Sequence, residues 1–216
     1  MLTALSAIAS EQALPPESTI RKAQKFIDYT ATHPDAVLTY CMSDMLLAVH
    51  SDASYLSKPK ARSRAGRHFF LASNVQIPAN NGAVLNTANL IKTVISSAAE
   101  AEMGAIFLAA REAIPARNTL IEMGHPQGKT PIQTENSTAY NVCNKNMQCR
   151  RSKSWDMRFF WMRCKEPQKM FRVYWRPGTT NLADYQTKHH PAAHHRNVQA
   201  EFLTTSEVVN KLRLSL

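Results

Sequence analysis

Acidic residues are scarce in this sequence, which has 16 Asp and Glu against 26 Lys and Arg and a formal net charge of +10. This balance favours an acidic polymer such as nucleic acid as the partner, because each phosphate neutralised by Lys or Arg releases condensed counterions. With 44% hydrophobic and 19% charged residues, the composition excludes a disordered or fibrous chain. The few carboxylates are therefore the first candidates for functional groups.

The sequence has no apolar run suited to a membrane span. Its longest uncharged stretch, 69–91, contains Gln76, Pro78 and five asparagines, whose amides would lack partners inside a bilayer. The four cysteines show no C-x-x-C spacing, which disfavours a zinc site and favours reduced thiols over disulfides. Because no Lys or Arg precedes the small and apolar residues 1–10, we do not expect a secreted protein.

Hydrophobic periodicity predicts an α/β fold, in which an N-terminal helical segment precedes a mixed sheet flanked by helices. Within residues 1–44, apolar residues recur at helical spacing between Ile20 and Ile27. Predicted strands lie at 45–52, around 68–71, within 83–95, at 131–135 and at 170–176. Predicted helices lie at 98–124, from about 136, at 154–164 and at 181–187. We also expect a basic turn at 58–67 and a kink or break at Pro115.

Three of the carboxylates lie where an apolar segment meets a turn or a helix start. They are Asp52, Glu135 and Asp184. Taken singly, each is more often a helix cap or a surface charge. Brought together they would repel one another, so a cluster of them requires a compensating cation.

Five segments surround these carboxylates or lie between them: His50–Tyr55, Ser96–Glu102, Gln133–Ala139, Ser152–Arg158 and Arg176–Lys188. In this order and at this spacing, they closely resemble the ribonuclease H domain of copia-type retrotransposon polyproteins. The resemblance extends from about residue 26 to about residue 196, which is nearly the whole chain.

The resemblance implies a five-stranded mixed sheet that carries an acidic metal site. Mapped residue by residue, it implies that Asp52, Glu102, Glu135 and Asp184 are catalytic and bind two Mg²⁺ ions, for which Mn²⁺ can substitute. Two such ions activate a water for in-line attack and stabilise the leaving 3′ oxygen of the RNA strand. The implied function is endonucleolytic hydrolysis of the RNA strand of an RNA:DNA hybrid.

Two positions of this implied site carry alternatives. Glu100 competes with Glu102, because residues two apart on a helix project in nearly opposite directions. The family pattern fits Glu102 and the residues after it, so we assign Glu102 and expect Glu100 to be a surface charge. Where the family has Asp-Asn, this chain has Glu135-Asn136, whose extra methylene exceeds the tolerance of about 0.5 Å in such sites. Either a shift of the backbone compensates for the longer side chain of Glu135, or metal binding is impaired.

Two groups of basic residues are candidates for binding the phosphates of the hybrid. The first group, on the predicted hairpin beside Asp52, comprises Lys58, Lys60, Arg62 and Arg64. The second group comprises Arg150, Arg151, Lys153 and Arg158. The aromatic residues interleaved with the second group are better explained as core. Recognition would depend on groove width and 2′-hydroxyls, with little reading of the bases.

The resemblance also implies a domain organisation and partners. Residues 1–44 would be the tail of a preceding polymerase, 45–190 the ribonuclease H domain and 191–216 a C-terminal extension. The expected partners are the hybrid and the rest of the retrotransposon polyprotein, especially its polymerase domain, in the cytoplasm, in virus-like particles or in the nucleus. No Tyr-x-Asp-Asp polymerase signature occurs, so we expect no DNA synthesis by this chain.

Two other functions remain open at this point. A decayed copy of the element would leave a non-catalytic nucleic-acid-binding module with the same fold. The interval between Glu102 and Glu135 also suits an integrase-type phosphoryltransferase, although the order of the acids favours a ribonuclease. The histidines of 189–195 form adjacent pairs, which disfavours a metal site, and the resemblance implies at most that one of them assists product release.

Overall fold

The computed structural model describes residues 2–144, 153–165 and 167–205. Its helices are α1 (Leu2–Ala9), α2 (Glu17–Ala31), α3 (Ala98–Glu122), α4 (Ser137–Cys143), α5 (Lys153–Lys165) and α6 (Ala192–Phe202). Its strands are β1 (Ala36–Val37), β2 (Leu46–Lys58), β3 (Arg62–Ala72), β4 (Ala83–Leu90), β5 (Thr130–Thr134), β6 (Phe171–Trp175) and β7 (Thr204–Thr205). Two 3-10 turns, Gly178–Thr180 and Asp184–Gln186, lie between β6 and α6.

The centre of the fold is a five-stranded sheet with the strand order β4-β3-β2-β5-β6. β2, β3 and β4 are antiparallel neighbours, whereas β5 runs parallel to β2 and β6 runs parallel to β5. Because parallel neighbours need a long connection, α3 carries the chain from β4 at one edge to β5 on the other side of β2. The predicted α/β fold, a mixed five-stranded sheet flanked by helices, is confirmed.

Helix α3 packs across β2 and β3 and forms the main core with them. Met103, Ile106 and Ala109, on one stripe of the helix, cluster with Val49 of β2 and Phe69 of β3. All five are 0% or 1% exposed, so the apolar area removed from water here is close to complete. This packing fixes the first turns of α3 beside the middle of β2.

The strands around the predicted basic turn are longer than expected. β2 continues past Asp52 to Lys58 and β3 begins at Arg62, so the turn is reduced to residues 59–61. The prediction of a turn at 58–67 was wrong. The polar residues of these strands pair with neighbouring strands, and this backbone pairing does not depend on the hydrophobicity of the side chains. Asp52 therefore lies within a strand rather than at its end.

Two helix predictions also need correction. Pro115 lies inside a single continuous helix, α3, and does not split it. The lost backbone hydrogen bond is offset by burial of neighbours such as Ala113 and Leu120. The predicted helix at 181–187 is instead the 3-10 turn Asp184–Gln186, because the Asn181 side chain accepts a hydrogen bond from the Ala183 N–H and competes with helical pairing.

The segments before and after the sheet contact each other and the edge strand β4. β1 pairs antiparallel with β7, and Ala36 lies opposite Thr205. α1 packs on α2 and β4, and Thr3 donates a hydrogen bond to the carbonyl oxygen of Gln186 at 3.1 Å. In the described part of the chain, no helix combines the length and the apolar character that a bilayer crossing requires.

Candidate active site

Asp52 lies in the middle of β2 and is 0% exposed. Its Oδ2 accepts a hydrogen bond from the Thr187 hydroxyl, whereas its Oδ1 has no hydrogen-bond partner among the described residues. Burial raises the pKa of Asp52 from its ordinary 3.8 to about 6, against the opposing effects of Thr187 and Lys188. A buried carboxylate with an unpaired oxygen is costly to keep ionised, so this position suits a cation.

Glu135 is brought level with Asp52 by the parallel pairing of β5 with β2. His50 lies opposite Gln133, so Asp52 follows two residues later within β2 and Glu135 two residues later, directly after the end of β5. Burial raises the pKa of Glu135, as does the charge of Asp184, while Lys188 lowers it. The third acid, Asp184, begins the second 3-10 turn. One carboxylate oxygen from each of Asp52, Glu135 and Asp184 lies within 4.8 Å of the others, which is close enough to share a metal ion.

The turn that carries Asp184 approaches the sheet closely because β3 has a glycine at the contact. Gly66 lies opposite Asp52 in the antiparallel pair. A methyl group at this position would lie 2.6 Å from the Ala183 carbonyl oxygen and 2.7 Å from Thr187 Cγ2. The absence of a side chain at Gly66 therefore lets residues 183–187 lie against the strand beside Asp52.

Two buried polar side chains anchor the same turn to β2. Asn181 donates a hydrogen bond to the Ser51 carbonyl oxygen at 2.9 Å, and His50 Nδ1 accepts one from the Leu182 N–H at 3.2 Å. Burial, followed by the charges of His68 and Arg176, lowers the pKa of His50 to about 3. His50 therefore stays neutral at physiological pH, as an acceptor at Nδ1 must.

Glu102 extends from the second turn of α3 to the backbone of Ala53, the residue after Asp52. It is 5% exposed, its Oε1 accepts a hydrogen bond from the Ala53 N–H at 3.3 Å, and its Oε2 has no partner among the described residues. Burial, and then the charges of Asp52 and Glu135, raise its pKa well above the ordinary value. Glu102 is outside the group of three whose oxygens lie within 4.8 Å, but it is electrostatically coupled to two of them.

Glu100 is not a surface charge, contrary to expectation. It is 1% exposed, and its Oε2 accepts hydrogen bonds from the Ser96 N–H at 2.7 Å and the Ser96 hydroxyl at 2.6 Å. Its own N–H donates to the Ser97 hydroxyl, which caps α3. Ser97 followed three residues later by Glu is the pattern of a capping box, and this signal in the sequence indicates a structural role for Glu100.

Lys188 belongs to the site and was missed by the sequence analysis. Its ammonium group forms an ion pair with Asp184 and lies 3.9 Å from Glu135 Oε1. Burial lowers the pKa of Lys188, but the hydrogen bond to Asp184 and the charges of the other acids outweigh it, so the net pKa is raised. The spacing of four residues after Asp184 is the signal that would have indicated this pair. Lys188 thus balances part of the charge of the acids.

The residues fit a divalent metal ion. Four carboxylates supply only oxygen donors, which Mg²⁺ and Mn²⁺ prefer. Asp52 Oδ1 and Glu102 Oε2, two buried oxygens without a partner in the described part of the chain, are the atoms that a bound cation would satisfy.

His190 is the histidine of the 189–195 region that approaches an acid of the cluster in the described part of the chain. Its Nε2 lies 3.9 Å from Asp184 Oδ2, and its ring stacks on His194 at 4.1 Å between centroids. Burial, and then the charge of His194, lower the pKa of His190.

The predicted phosphate-binding residues have different surroundings. Lys60 and Arg62 are exposed and Lys58 is partly exposed, whereas Arg64 is 2% exposed and donates to the Thr3 carbonyl oxygen at 3.3 Å. Arg64 is therefore withdrawn from the surface and is removed from the set of phosphate ligands. Arg158 is partly exposed and donates to Thr93. Two predicted residues, Arg150 and Arg151, lie outside the described residues, and Lys153 is described only as the first residue of α5.

The buried acids predict an unusual pH dependence of stability. Because the pKa of Asp52 is about 6 in the folded state and 3.8 ordinarily, the folded state binds more protons between these values. The free energy of unfolding of the metal-free protein should therefore fall as pH rises from about 4 to about 6, by up to roughly 3 kcal/mol from this residue. Thermal unfolding in EDTA across this range measures the effect. Asp52→Asn should flatten the dependence, and an equal slope in both proteins would contradict the assignment.

No family model matches this chain, and no curated protein does. Among solved structures, it is similar to LC11-RNase H1 in complex with an RNA/DNA hybrid, at 10% identity and a TM-score of 0.48, over 65% of this chain and 93% of that one. It is similar to the N-terminal RNase H domain of a Mycobacterium tuberculosis protein, at 10% identity and a TM-score of 0.45, over 66% and 91%. It is also similar to the prototype foamy virus protease-reverse transcriptase, at 11% identity and a TM-score of 0.38, over 65% of this chain and 18% of that one. At these similarities, function must be inferred from the residues of this chain.

Proposed function

We propose that this protein is a ribonuclease H that hydrolyses the RNA strand of an RNA:DNA hybrid. The observation that carries the proposal is the convergence of Asp52, Glu135 and Asp184, from three distant parts of the sequence, with Glu102 beside them. The sequence segments that resemble copia-type ribonuclease H domains contain all four acids. Such an arrangement of oxygens suits two Mg²⁺ ions, which Mn²⁺ can replace.

The four acids would hold the metal in two ways. Asp52 and Glu102 would use the oxygens that have no partner among the residues described, and Glu135 and Asp184 would use the oxygens that lie near Lys188. When bound, two Mg²⁺ ions supply an activated water and a counter-charge for the leaving 3′ oxygen.

Other side chains of the site orient these acids or carry charge and protons. Thr187 fixes Asp52 by donating to its Oδ2. Lys188, released from Asp184, carries a positive charge that can pair with a phosphate of the RNA strand. The 3.9 Å distance from His190 to Asp184 supports His190 as the histidine that assists departure of the product.

The direct test is degradation of an RNA:DNA hybrid labelled on the RNA strand, with duplex RNA and duplex DNA as parallel substrates. We expect Mg²⁺-dependent cutting of the RNA strand in the hybrid and no cutting in EDTA. Cutting of duplex DNA or joining of DNA ends would instead support an integrase-type phosphoryltransferase.

Glu135 in place of aspartate favours one alternative, a non-catalytic nucleic-acid-binding module. Calorimetric titration with Mg²⁺ separates the two functions, because the intact site should bind two ions. Hybrid binding without metal binding would support the non-catalytic module.

We also propose that the chain comes from a copia-type retrotransposon and acts beside the polymerase domain of its polyprotein. The support is the order of the five segments and the length over which they resemble that family. Attachment of a copia-type polymerase domain ahead of residue 1 should tighten hybrid binding relative to the chain alone. Unchanged affinity would argue against this partnership.

Hybrid affinity should fall steeply with salt. Lys58, Lys60 and Arg62, on the turn between β2 and β3 and its flanking residues, are described candidates for phosphate contacts, and Arg158 of α5 is another. Replacing Lys58, Lys60 and Arg62 with Gln should reduce the slope of log affinity against log salt by about 2 to 3, if each neutralises one phosphate. The matched control replaces the exposed Arg21, Lys22 and Lys25 of α2. Equal slopes for the two triple variants, measured by fluorescence anisotropy, would remove this surface from the proposal.

A further inference from the structure

The carboxylate of Glu135 lies directly over the backbone of Gly178. A methyl group at position 178 would overlap Glu135 Oε2 and lie 3.1 Å from its Cδ and 3.5 Å from its Oε1. The end of the Glu135 side chain therefore occupies the volume that the side chain of any other residue at 178 would fill.

The turn that contains Gly178 cannot easily move away from Glu135. Its last residue, Thr180, accepts a hydrogen bond from Gln133 of β5 at 3.2 Å. The next residue, Asn181, donates to the Ser51 carbonyl oxygen in β2 and its N–H donates to the Gly178 carbonyl oxygen at 2.9 Å. With the turn held to two strands, the movable group at this contact is the carboxylate.

The conformation of Gly178 does not itself require glycine. Among the described glycines, the positive φ angle belongs to Gly124, so the backbone at 178 accepts an L-residue without strain. The group that a methyl would displace is the end of a flexible side chain, and its displacement costs the fold little. Glycine at this position therefore matters for where the carboxylate lies rather than for folding.

We propose that Gly178 is a positioning residue, which leaves room for the longer side chain of glutamate so that the Glu135 carboxylate reaches the oxygens of Asp52 and Asp184. This inference rests on the proposed metal-dependent function. It explains how a glutamate can act as a metal ligand at position 135. A shift of the carboxylate by the size of a methyl group exceeds the placement tolerance of about 0.5 Å that metal sites allow.

The test combines Gly178→Ala with Glu135→Asp, because aspartate is one methylene shorter and withdraws the carboxylate from position 178. We expect Gly178→Ala to weaken Mg²⁺ binding about tenfold or more in calorimetry, and hybrid cutting by at least as much, with an unchanged melting temperature in EDTA. Adding Glu135→Asp to Gly178→Ala should restore most of the loss. The matched control is Gly128→Ala, whose methyl meets Leu46 Cδ1 at an ordinary 3.7 Å.

Measuring Mg²⁺ binding and hybrid cutting separately distinguishes failure of this inference from failure of the proposed function. If the wild type binds Mg²⁺ but cuts no hybrid, the function fails while the binding data still test Gly178. Full Mg²⁺ affinity in Gly178→Ala would overturn the inference, as would an impaired variant that Glu135→Asp does not rescue. Absence of Mg²⁺ binding by the wild type would overturn both.

Discussion

Replacement of Asp52 by Asn should abolish RNA cleavage and at the same time stabilise the metal-free protein. Asn keeps the shape of the side chain and can still accept from Thr187, but it removes the charge that holds a metal. We expect cleavage to fall about a thousandfold or more, which corresponds to roughly 4 kcal/mol of transition-state stabilisation. Because the pKa of Asp52 is raised to about 6 by burial, removal of its charge should add on the order of 1 kcal/mol or more to stability at pH 7.

The two effects are measured by single-turnover cleavage of a short hybrid and by thermal unfolding in EDTA. The control is Asp35→Asn, an exposed aspartate in the connection between α2 and β1, which should change neither. Loss of cleavage together with loss of stability would indicate misfolding, and retained cleavage would remove Asp52 from the site.

Replacement of Glu102 or of Glu100 by Gln should have opposite consequences for cleavage and for stability, although both glutamates are buried on the same helix. Glu102→Gln should lower cleavage by about a hundredfold or more and weaken Mg²⁺ binding, since within the described residues its Oε2 has no partner and its charge interacts with that of Asp52. Glu100→Gln should keep cleavage but destabilise the protein by about 1 to 2 kcal/mol, since its carboxylate accepts two hydrogen bonds at the N-terminus of α3.

Each variant is the control for the other, because the substitution and the helix are the same. Cleavage and Mg²⁺ titration report on the site, and denaturant unfolding of the metal-free proteins reports on the cap. If Glu100→Gln loses cleavage while Glu102→Gln retains it, the assignment of the helix ligand from the sequence pattern is reversed.

The sequence by itself determined the type of fold and the order of its main elements. Apolar runs predicted the strands around Leu47, Phe69 and Ile132, and helical composition predicted α3, because these local patterns reflect which faces must be buried. The segments that resemble copia-type ribonuclease H domains predict the acids at 52, 102, 135 and 184 without information on the contacts among them. Local patterns did not predict the length of β2 or the continuity of α3 through Pro115, because pairing and packing with distant segments override local signals.

Only the tertiary structure decided how the site is assembled. Gly66 and Gly178 are unremarkable in the sequence, yet each provides a close approach, because the atoms they make room for come from residues distant in sequence. Arg64 resembles its basic neighbours in the sequence but is buried under Thr3, and Lys188 becomes part of the site through Asp184 and Glu135 together. Sequence patterns encode periodicity and residue chemistry, whereas distances between segments far apart in the chain depend on how strands register and turns dock, which local patterns do not contain.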